Sequence, residues 1–197
     1  MGGGAERAGR PGRPRSEDAR IAVLQAVDDL LVDVGYAAMT MKGIAERAGV
    51  GRQTVYRWWS TKAEILLEAV TEDAEAELAG PAVADDPAAD LTAHLRALTA
   101  FLTSAPAGLA YRALLGEGQH DPVVGGLLGH ADPLRAPTEA VLARLRTSCP
   151  GMPPAPLAAA QTVGPVLAPL LAAAAPLADD LLRTHAELLL RAWGQRG

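Results

Sequence analysis

The stretch 40–62 constrains this chain most strongly, because it is typical of two short helices joined by a Gly-Val-Gly turn. Thr40 is a good N-cap for the first helix, and Gly49 falls where a helix commonly ends with a positive φ. Gly51 can open the second helix at Arg52, although glycine is a weaker N-cap than serine. This arrangement predicts a helix-turn-helix motif at about residues 40–59.

The second of these helices has two different faces. Val55 and Trp59 share one face at i, i+4 spacing, so we expect both to be buried against the first helix. The opposite face carries polar and aromatic side chains, namely Arg52, Gln53, Tyr56 and Arg57. The position of the neighbouring Trp58 is left open.

These polar residues suit the major groove of DNA. Arg can bond bidentately to guanine and Gln to adenine, so Arg52 and Gln53 are the candidates for base reading. Thr54, Tyr56 and Lys62 are candidates for phosphate contacts, which fix the register without reading sequence. The alternatives are a solvated face for Arg52 and Gln53 and a half-buried packing role for Tyr56.

A set of short motifs accompanies this region: Gly35-Tyr36, Thr40-Met41, Ile44-Ala45, Ala48-Gly49-Val50, Thr54-Val55-Tyr56 and Lys62. The set resembles the signature of the tetracycline-repressor (TetR) family of bacterial transcriptional regulators and covers about the first 80 residues. The resemblance implies phosphate contacts from Thr40, Tyr56 and Lys62. The chain departs from the family at Gly51, where Ser is usual, and at Trp59, where Phe is usual.

Charge is distributed unevenly along the chain. The net charge is −5, but residues 1–62 contain ten Arg or Lys and seven Asp or Glu, which leaves the remainder at −8. A basic head on an acidic body favours a regulator in which only the head is drawn to phosphate. Residues 1–15 are rich in Gly, Pro and Arg, so we expect a flexible arm whose Arg10, Arg13 and Arg15 contact the minor groove or the DNA backbone. The alternative is a solubilising tail.

The helical pattern extends through the rest of the chain. Ser16 is expected to open a scaffold helix with Ile21, Leu24, Val27, Leu31 and Val34 on one stripe, and a Thr61/Glu64 capping box opens another. Further helices are expected at about 87–103, 109–116, 123–147 (whole or broken), 156–174 and 177–193. The sequence shows no β-strand alternation, so it predicts an all-α fold of about nine helices. We expect a three-helix DNA-binding domain at 16–80 and a helical ligand-binding and dimerisation domain at 81–197.

The family resemblance implies a homodimer through the last two long helices and a ligand cavity in the body. A dimer fits a palindromic operator, since one recognition helix reads only a few base pairs. The candidate pocket residues are His94, Leu98, Phe101, Tyr111, Leu115 and His120. Charged residues are scarce at the periodic apolar positions, which favours an apolar or weakly polar effector. Repression relieved by ligand is the family's usual mode.

Other classes of protein are disfavoured by the sequence. It contains no GxxxxGK[ST], GxSxG, HExxH or CxxC motif, so neither an enzyme, a cofactor nor a metal site is expected. The single Cys149 excludes an intramolecular disulfide, and a passive role is expected for it. No long uninterrupted apolar run or signal peptide is found, which favours a cytoplasmic protein. A protein of this fold that senses a ligand without binding DNA remains the alternative.

Overall fold

The computed structural model describes residues 13–80 and 86–194, and side chains from Glu17 onward. This part of the chain folds into eleven helical segments and contains no strand. Their bounds are α1 Arg13–Asp33, α2 Gly35–Ala38, α3 Met41–Arg47, α4 Arg52–Tyr56, α5 Lys62–Leu78, α6 Pro87–Ser104, α7 Pro106–Gly118, α8 Pro122–His130, α9 Arg135–Leu145, α10 Ala155–Leu171 and α11 Asp179–Ala192. The all-α prediction is confirmed.

The helix count exceeds the expected nine for two reasons. The four-residue α2 follows α1 directly, and the segment 123–147 is broken into α8 and α9. Two helices also begin earlier than predicted. Helix α1 begins at Arg13 rather than Ser16, and α7 begins at Pro106, where the sequence suggested a break. Proline is tolerated in a first helical turn because its missing N–H has no partner there anyway.

Helix α1 packs its apolar side against the helix-turn-helix and against α5. Leu24 and Val27 are buried as predicted, and Leu31 is half-buried. Ile21 and Val34 were wrongly placed on the buried stripe, since their side chains are 44% and 51% exposed. Ile21 lies on the outer side of the helix, and Val34 follows the last helical residue.

Helix α5 is buried along most of its length. One half of its predicted capping box forms, since Thr61 Oγ1 accepts from the Glu64 backbone N–H at 3.2 Å. The Glu64 side chain instead accepts from the N–H of Ser60, one residue before the N-cap, at 2.7 Å. The buried side chains include Ile65, Leu66, Leu67, Val70 and Leu78. Helices α1, α6, α7, α8 and α9 all pack on α5. It therefore joins the N-terminal helices to the body.

Helices α6 and α7 form a closely packed pair. Leu91, Leu95, Leu98 and Leu102 of α6 are all buried, as the sequence predicts. At Gly108 of α7, a Cβ atom would lie 1.9 Å from the Phe101 carbonyl oxygen. Only glycine fits at this crossing, so the approach of the two backbones depends on the absence of a side chain.

Helix α10 contains two prolines, and α11 compensates for one of them. Pro165 has no N–H to donate to the carbonyl of Gln161 one turn earlier. That carbonyl lies 3.1 Å from His185 Nε2 on α11, and the Gln161 side-chain oxygen accepts from Trp193 Nε1 at 3.1 Å. The two last helices are thus held together by polar contacts at the proline site.

The outer sides of these two helices remain apolar. Leu157 and Leu171 of α10 and Leu181 and Leu188 of α11 are each 50–53% exposed. Leu182, Leu189 and Leu190 are buried within the chain. Within residues 13–80 and 86–194, no helix is both long and apolar enough to cross a membrane.

The two adjacent tryptophans differ sharply in environment. Trp59 is 4% exposed, and its Nε1 donates to Glu68 Oε2 at 2.6 Å. Arg20 pairs with Glu68 and lies 2.6 Å from Glu72, so this bond belongs to a network between α1 and α5. Trp58 is 43% exposed. The predicted core position of Trp59 is confirmed.

Replacing Trp59 by Phe should lower the free energy of unfolding by about 1–3 kcal/mol, because the change leaves a cavity and removes the bond to Glu68. Trp58→Phe is the matched control and should change it by less than about 0.5 kcal/mol, as exposed substitutions do. Urea denaturation of both variants measures the difference. Equal effects of the two substitutions would contradict the structural role of the buried Trp59 and its bond to Glu68.

Candidate nucleic-acid interface

The first helix of the motif is capped by Thr40. Thr40 Oγ1 accepts a hydrogen bond from the Gly43 backbone N–H at 3.0 Å, as the sequence predicts. This bond satisfies one of the free N–H groups at the start of α3. Ile44 and Ala45 are buried, whereas Thr40 and Lys42 are exposed. One side of α3 therefore anchors the motif and the other faces solvent.

The turn between α3 and α4 depends on Gly49. Its φ is +66°, in the left-handed region that favours glycine. Gly51 has a φ of −68° and is the N-cap of α4, with no side-chain bond at the cap. The N–H groups of Trp58 and Trp59 both donate to the Val55 carbonyl at 3.0 Å, so α4 ends sooner than expected, at Tyr56.

Helix α4 lies with one side in the core and the other in solvent. Val55 is 1% exposed and packs with Ile44 and Trp59 in the hydrophobic core. Thr54 is half-buried, and the exposed residues are Arg52, Gln53, Tyr56 and Arg57. The side chains predicted to read bases are therefore on the solvent side of α4. The half-buried alternative for Tyr56 is not supported, since Tyr56 is 55% exposed.

The end of α4 carries a second aromatic residue that the sequence left unassigned. Trp58 has its ring 5.7 Å from the guanidinium carbon of Arg57 and 6.2 Å from the ring of Trp59. A cation above an aromatic ring is favourable and limits the freedom of the Arg side chain. Trp58 thus extends the exposed surface beyond the residues that sequence reasoning named.

Lys62, at the start of α5, is held against Tyr36. Its Nζ donates to the Tyr36 carbonyl at 3.1 Å and lies 4.2 Å from the Tyr36 ring centroid. An ammonium group has three donors, so this contact leaves hydrogen-bonding capacity for a phosphate oxygen. The Tyr36–Lys62 contact gives the cation a defined position beside the motif.

The basic arm is shorter than the sequence suggested. Arg13 and Arg15 were expected on a flexible tether, but the backbone at both positions belongs to α1. Arg10 lies outside the described residues. The role of Arg13 and Arg15 in DNA contact stays a prediction.

Ion pairs hold α3 on α1. Arg47 NH2 lies 2.6 Å from Asp33 Oδ2, and Arg47 NH1 lies 3.4 Å from Asp29 Oδ2. These carboxylates raise the pKa of Arg47. Burial and nearby carboxylates raise the pKa of Asp28 to about 6. Acidic side chains of α1 thus help to hold α3 in place through Arg47.

Most of the predicted pocket residues lie in the packed interior of the body. Leu98 and Phe101 are buried, and Tyr111 is buried with its hydroxyl donating to Asp132 Oδ1 at 3.0 Å. Burial raises the pKa of Tyr111 well above its usual range. Leu115 is half-buried, and His120 is exposed beyond the end of α7. The structure therefore does not bring His120 into the interior.

His94 differs from the other candidates because it borders a cavity at the end of α5. His94 Nε2 lies 3.2 Å from Thr138 Oγ1, and both side chains are buried. Beside them Arg144 donates two bonds to the buried Asp90, at 3.0 and 2.9 Å. Sequence reasoning missed Asp90, although its i, i+4 spacing to His94 is a visible signal. Thr138 and Arg144 lie more than 40 residues further along the chain, so the sequence gave no signal that they meet His94 and Asp90.

Residue types that commonly bind metal ions do not cluster in the described part of the chain. Residues 17–80 and 86–194 contain no group of three His, Cys, Asp or Glu side chains that could hold a metal ion. Cys149 is 1% exposed, and burial raises the pKa of its thiol. A buried thiol with a raised pKa is a poor nucleophile.

Comparison with known proteins agrees with this geometry. A model of the bacterial regulatory proteins of the tetR family matches residues 23–69, which run from α1 through the motif into α5. A TetR family transcription regulator, SCO0332, has a crystal structure that superposes with a TM-score of 0.75 at 29% identity, covering 89% of this chain and 98% of that one. Residues 23–69 thus match the tetR-family model, and the fold is similar to that of a TetR family regulator.

Two further relatives extend this comparison. An uncharacterized HTH-type transcriptional regulator, YdeS of Bacillus subtilis (strain 168), is 39% identical over 110 residues, or 56% of this chain. That match spans 54% of YdeS, so about half of the relative's length is covered. The structure of RolR in complex with resorcinol superposes with a TM-score of 0.63 at 22% identity, covering 92% of this chain and 90% of RolR. The TetR fold therefore extends through the helical body.

Replacing Gly49 by Ala should lower the free energy of unfolding by about 1–2 kcal/mol, because an alanine is strained at a φ of +66°. Gly116→Ala is the control, since Gly116 is exposed in α7, has no positive φ and has open space where a Cβ atom would lie. We expect that change to leave the stability unchanged or to raise it slightly, because alanine favours a helix. Thermal or urea denaturation measures both, and a Gly49→Ala variant as stable as the parent would contradict the proposed turn.

Proposed function

We propose that this protein is a sequence-specific DNA-binding transcriptional regulator of the TetR family that binds a palindromic operator as a homodimer. The observation that carries the proposal is the solvent side of α4, which is anchored in the core by Val55 and Trp59. The exposed side chains there are Arg52, Gln53, Tyr56 and Arg57. Arg52 and Gln53 read base edges in the major groove, while Thr40, Thr54, Tyr56 and Lys62 contact phosphates. Arg13 and Arg15 add phosphate attraction beside the motif.

Electrostatics supports binding through the head. Residues 1–62 carry a net charge of +3 within a chain whose total is −5. A long-range field of this kind draws phosphate to the head and repels it from the body. The alternative, a protein of the same fold that senses a ligand without binding DNA, gives no reason for the exposed Arg52 and Gln53.

The exposed leucines of α10 and α11 support a homodimer. Leu157, Leu171, Leu181 and Leu188 are each at least half exposed, and Leu181 and Leu188 share one side of α11 at i, i+7 spacing. Covering them with the same helices of a second chain forms a four-helix bundle. A two-fold axis then presents two α4 helices to half-sites about 34–36 Å apart, or a multiple of that distance.

The body is proposed to control the head through α5. RolR, a protein of the same fold, has been crystallised with resorcinol, which supports a small-molecule site in this body as well. Because α5 packs against α1, which carries the motif, and against helices of the body, a ligand that shifts α5 changes the separation of the two α4 helices. We propose repression that is released by a small effector, with the head at 16–80 and the body at 81–197.

Replacing Arg52 and Gln53 together by Ala should abolish the preference for a specific duplex, lowering its affinity about tenfold or more for each residue lost. Affinity for unrelated DNA should fall much less, because the phosphate contacts remain. Fluorescence anisotropy at fixed salt measures both affinities, using the duplex that the parent protein enriches. Arg146→Ala, an exposed arginine at the end of α9, is the charge-matched control. Unchanged discrimination in the double variant would exclude α4 as the reading helix.

Replacing Leu181 and Leu188 together by Glu should convert the dimer to monomer, because the interface would bury two unpaired charges. Val123→Glu is the control, since Val123 is 60% exposed at the start of α8, a helix that packs on α5 and α7. Sedimentation velocity gives the mass of each variant. A double variant that stays dimeric, or a parent that is monomeric, would refute the proposed interface.

A further inference from the structure

A cavity of about 200 Å³ lies where the end of α5 meets α6 and α9. Leu78, Ala97 and Val141 form its apolar wall, and His94, Asp90 and Arg144 form its polar wall. A cavity of about 150 Å³ is enough for benzene in a protein interior. This one therefore accommodates a single six-membered ring with a small substituent.

The polar wall includes His94, and one nitrogen of its ring has no protein partner among the described residues. His94 is 5% exposed, and its Nδ1 makes no hydrogen bond among the described residues, while Nε2 is occupied by Thr138. Buried polar atoms are nearly always satisfied, by protein, water or ligand. An orphan ring nitrogen beside an apolar cavity is a recognition group for a ligand that enters it.

The charge of the wall indicates a neutral ligand. Burial and the Arg144 charge lower the pKa of His94 to about 4, against an opposing contribution from Asp90, so the imidazole is neutral at pH 7. The only charges among the cavity residues named above are those of Asp90 and Arg144, which form a bidentate pair with each other. An anionic ligand would face the Asp90 carboxylate, and a cationic one would face Arg144.

The hydrogen bond to Thr138 does not fix the His94 tautomer. The Thr138 hydroxyl can donate to Nε2, which leaves an N–H at Nδ1, or accept from it, which leaves Nδ1 as an acceptor. A hydroxyl group both donates and accepts, so it satisfies Nδ1 in either case. We propose that this cavity binds a neutral molecule of one-ring size through a hydroxyl group hydrogen-bonded to His94 Nδ1.

The position of the cavity connects it to the DNA-binding head. Leu78 is the last residue of α5, the helix that begins at Lys62 directly after the motif. The binding site depends only on the cavity and His94. Its regulatory effect rests on the proposed function, in which α5 transmits the ligand signal.

The test uses the full chain, with phenol as the probe and benzene and benzoate as matched analogues. Calorimetry should show phenol binding once per chain, more tightly than either analogue, because benzene lacks the hydroxyl and benzoate carries a charge. In protein labelled with ¹⁵N-histidine, phenol should shift the Nδ1 resonance of His94. Absence of phenol binding at millimolar concentration, an unshifted His94 resonance at saturation, or tighter binding of benzoate would overturn the proposal.

Two substitutions separate recognition from folding. His94→Leu should lower phenol affinity about tenfold and leave benzene affinity nearly unchanged, since it removes the hydrogen bond and keeps the volume. Thr138 can then bond to its own helix. Thr162→Val, an equally buried change within α10, should keep the preference for phenol. Circular dichroism confirms that each variant is folded. Equal phenol affinity in the parent and in His94→Leu would refute the role of His94.

DNA binding is measured separately, so that the two proposals fail independently. Specific DNA binding without any phenol binding overturns the cavity proposal and leaves the regulator intact. Phenol binding through His94 without any DNA binding supports the cavity and overturns the proposed function. Phenol that binds through His94 and lowers operator affinity supports both.

Discussion

The packing of α5 is the constraint on which the rest of the structure depends. This helix buries Ile65, Leu66 and Val70 completely, and helices of both the head and the body cover it. Its first turn is capped by Thr61 and carries Lys62 beside the motif. Its last residue, Leu78, borders the cavity of the body. One rigid element therefore lies in contact with both proposed sites, and neither site can shift without repacking against it.

Charged side chains are arranged differently in the N-terminal head and in the body. In the head, Asp29 and Asp33 of α1 form ion pairs with Arg47 of α3. Arg52, at the start of α4, and Arg57, at its end, face solvent. In the body, Arg144 and Asp90 neutralise each other next to the cavity. Arg52 and Arg57 are thus exposed on the surface proposed to bind DNA, whereas the two charges in the cavity wall are paired with each other, which suits a neutral ligand.

Local patterns in the sequence predicted most of the helices and the exposed side of α4. Caps and apolar spacing are local properties, and the i, i+4 pair of Val55 and Trp59 was enough to orient the recognition helix. The contacts that depend on where distant segments meet could not be predicted. The Gly108 crossing depends on the approach of α7 to α6, and the partner of His94 lies 44 residues away. The start of α1 at Arg13 was missed because residues 1–15 are rich in Gly, Pro and Arg, which predicted a flexible arm, although a first helical turn tolerates proline.

The central claim is that two copies of α4, related by a two-fold axis, read DNA sequence. Selection from a random duplex library with the purified parent protein at physiological salt tests it most directly. The account predicts an enriched palindrome with two similar half-sites whose centres are about one helical turn of DNA, or a multiple of it, apart. A folded, dimeric protein that enriches no motif, or that enriches a single asymmetric site, would contradict it.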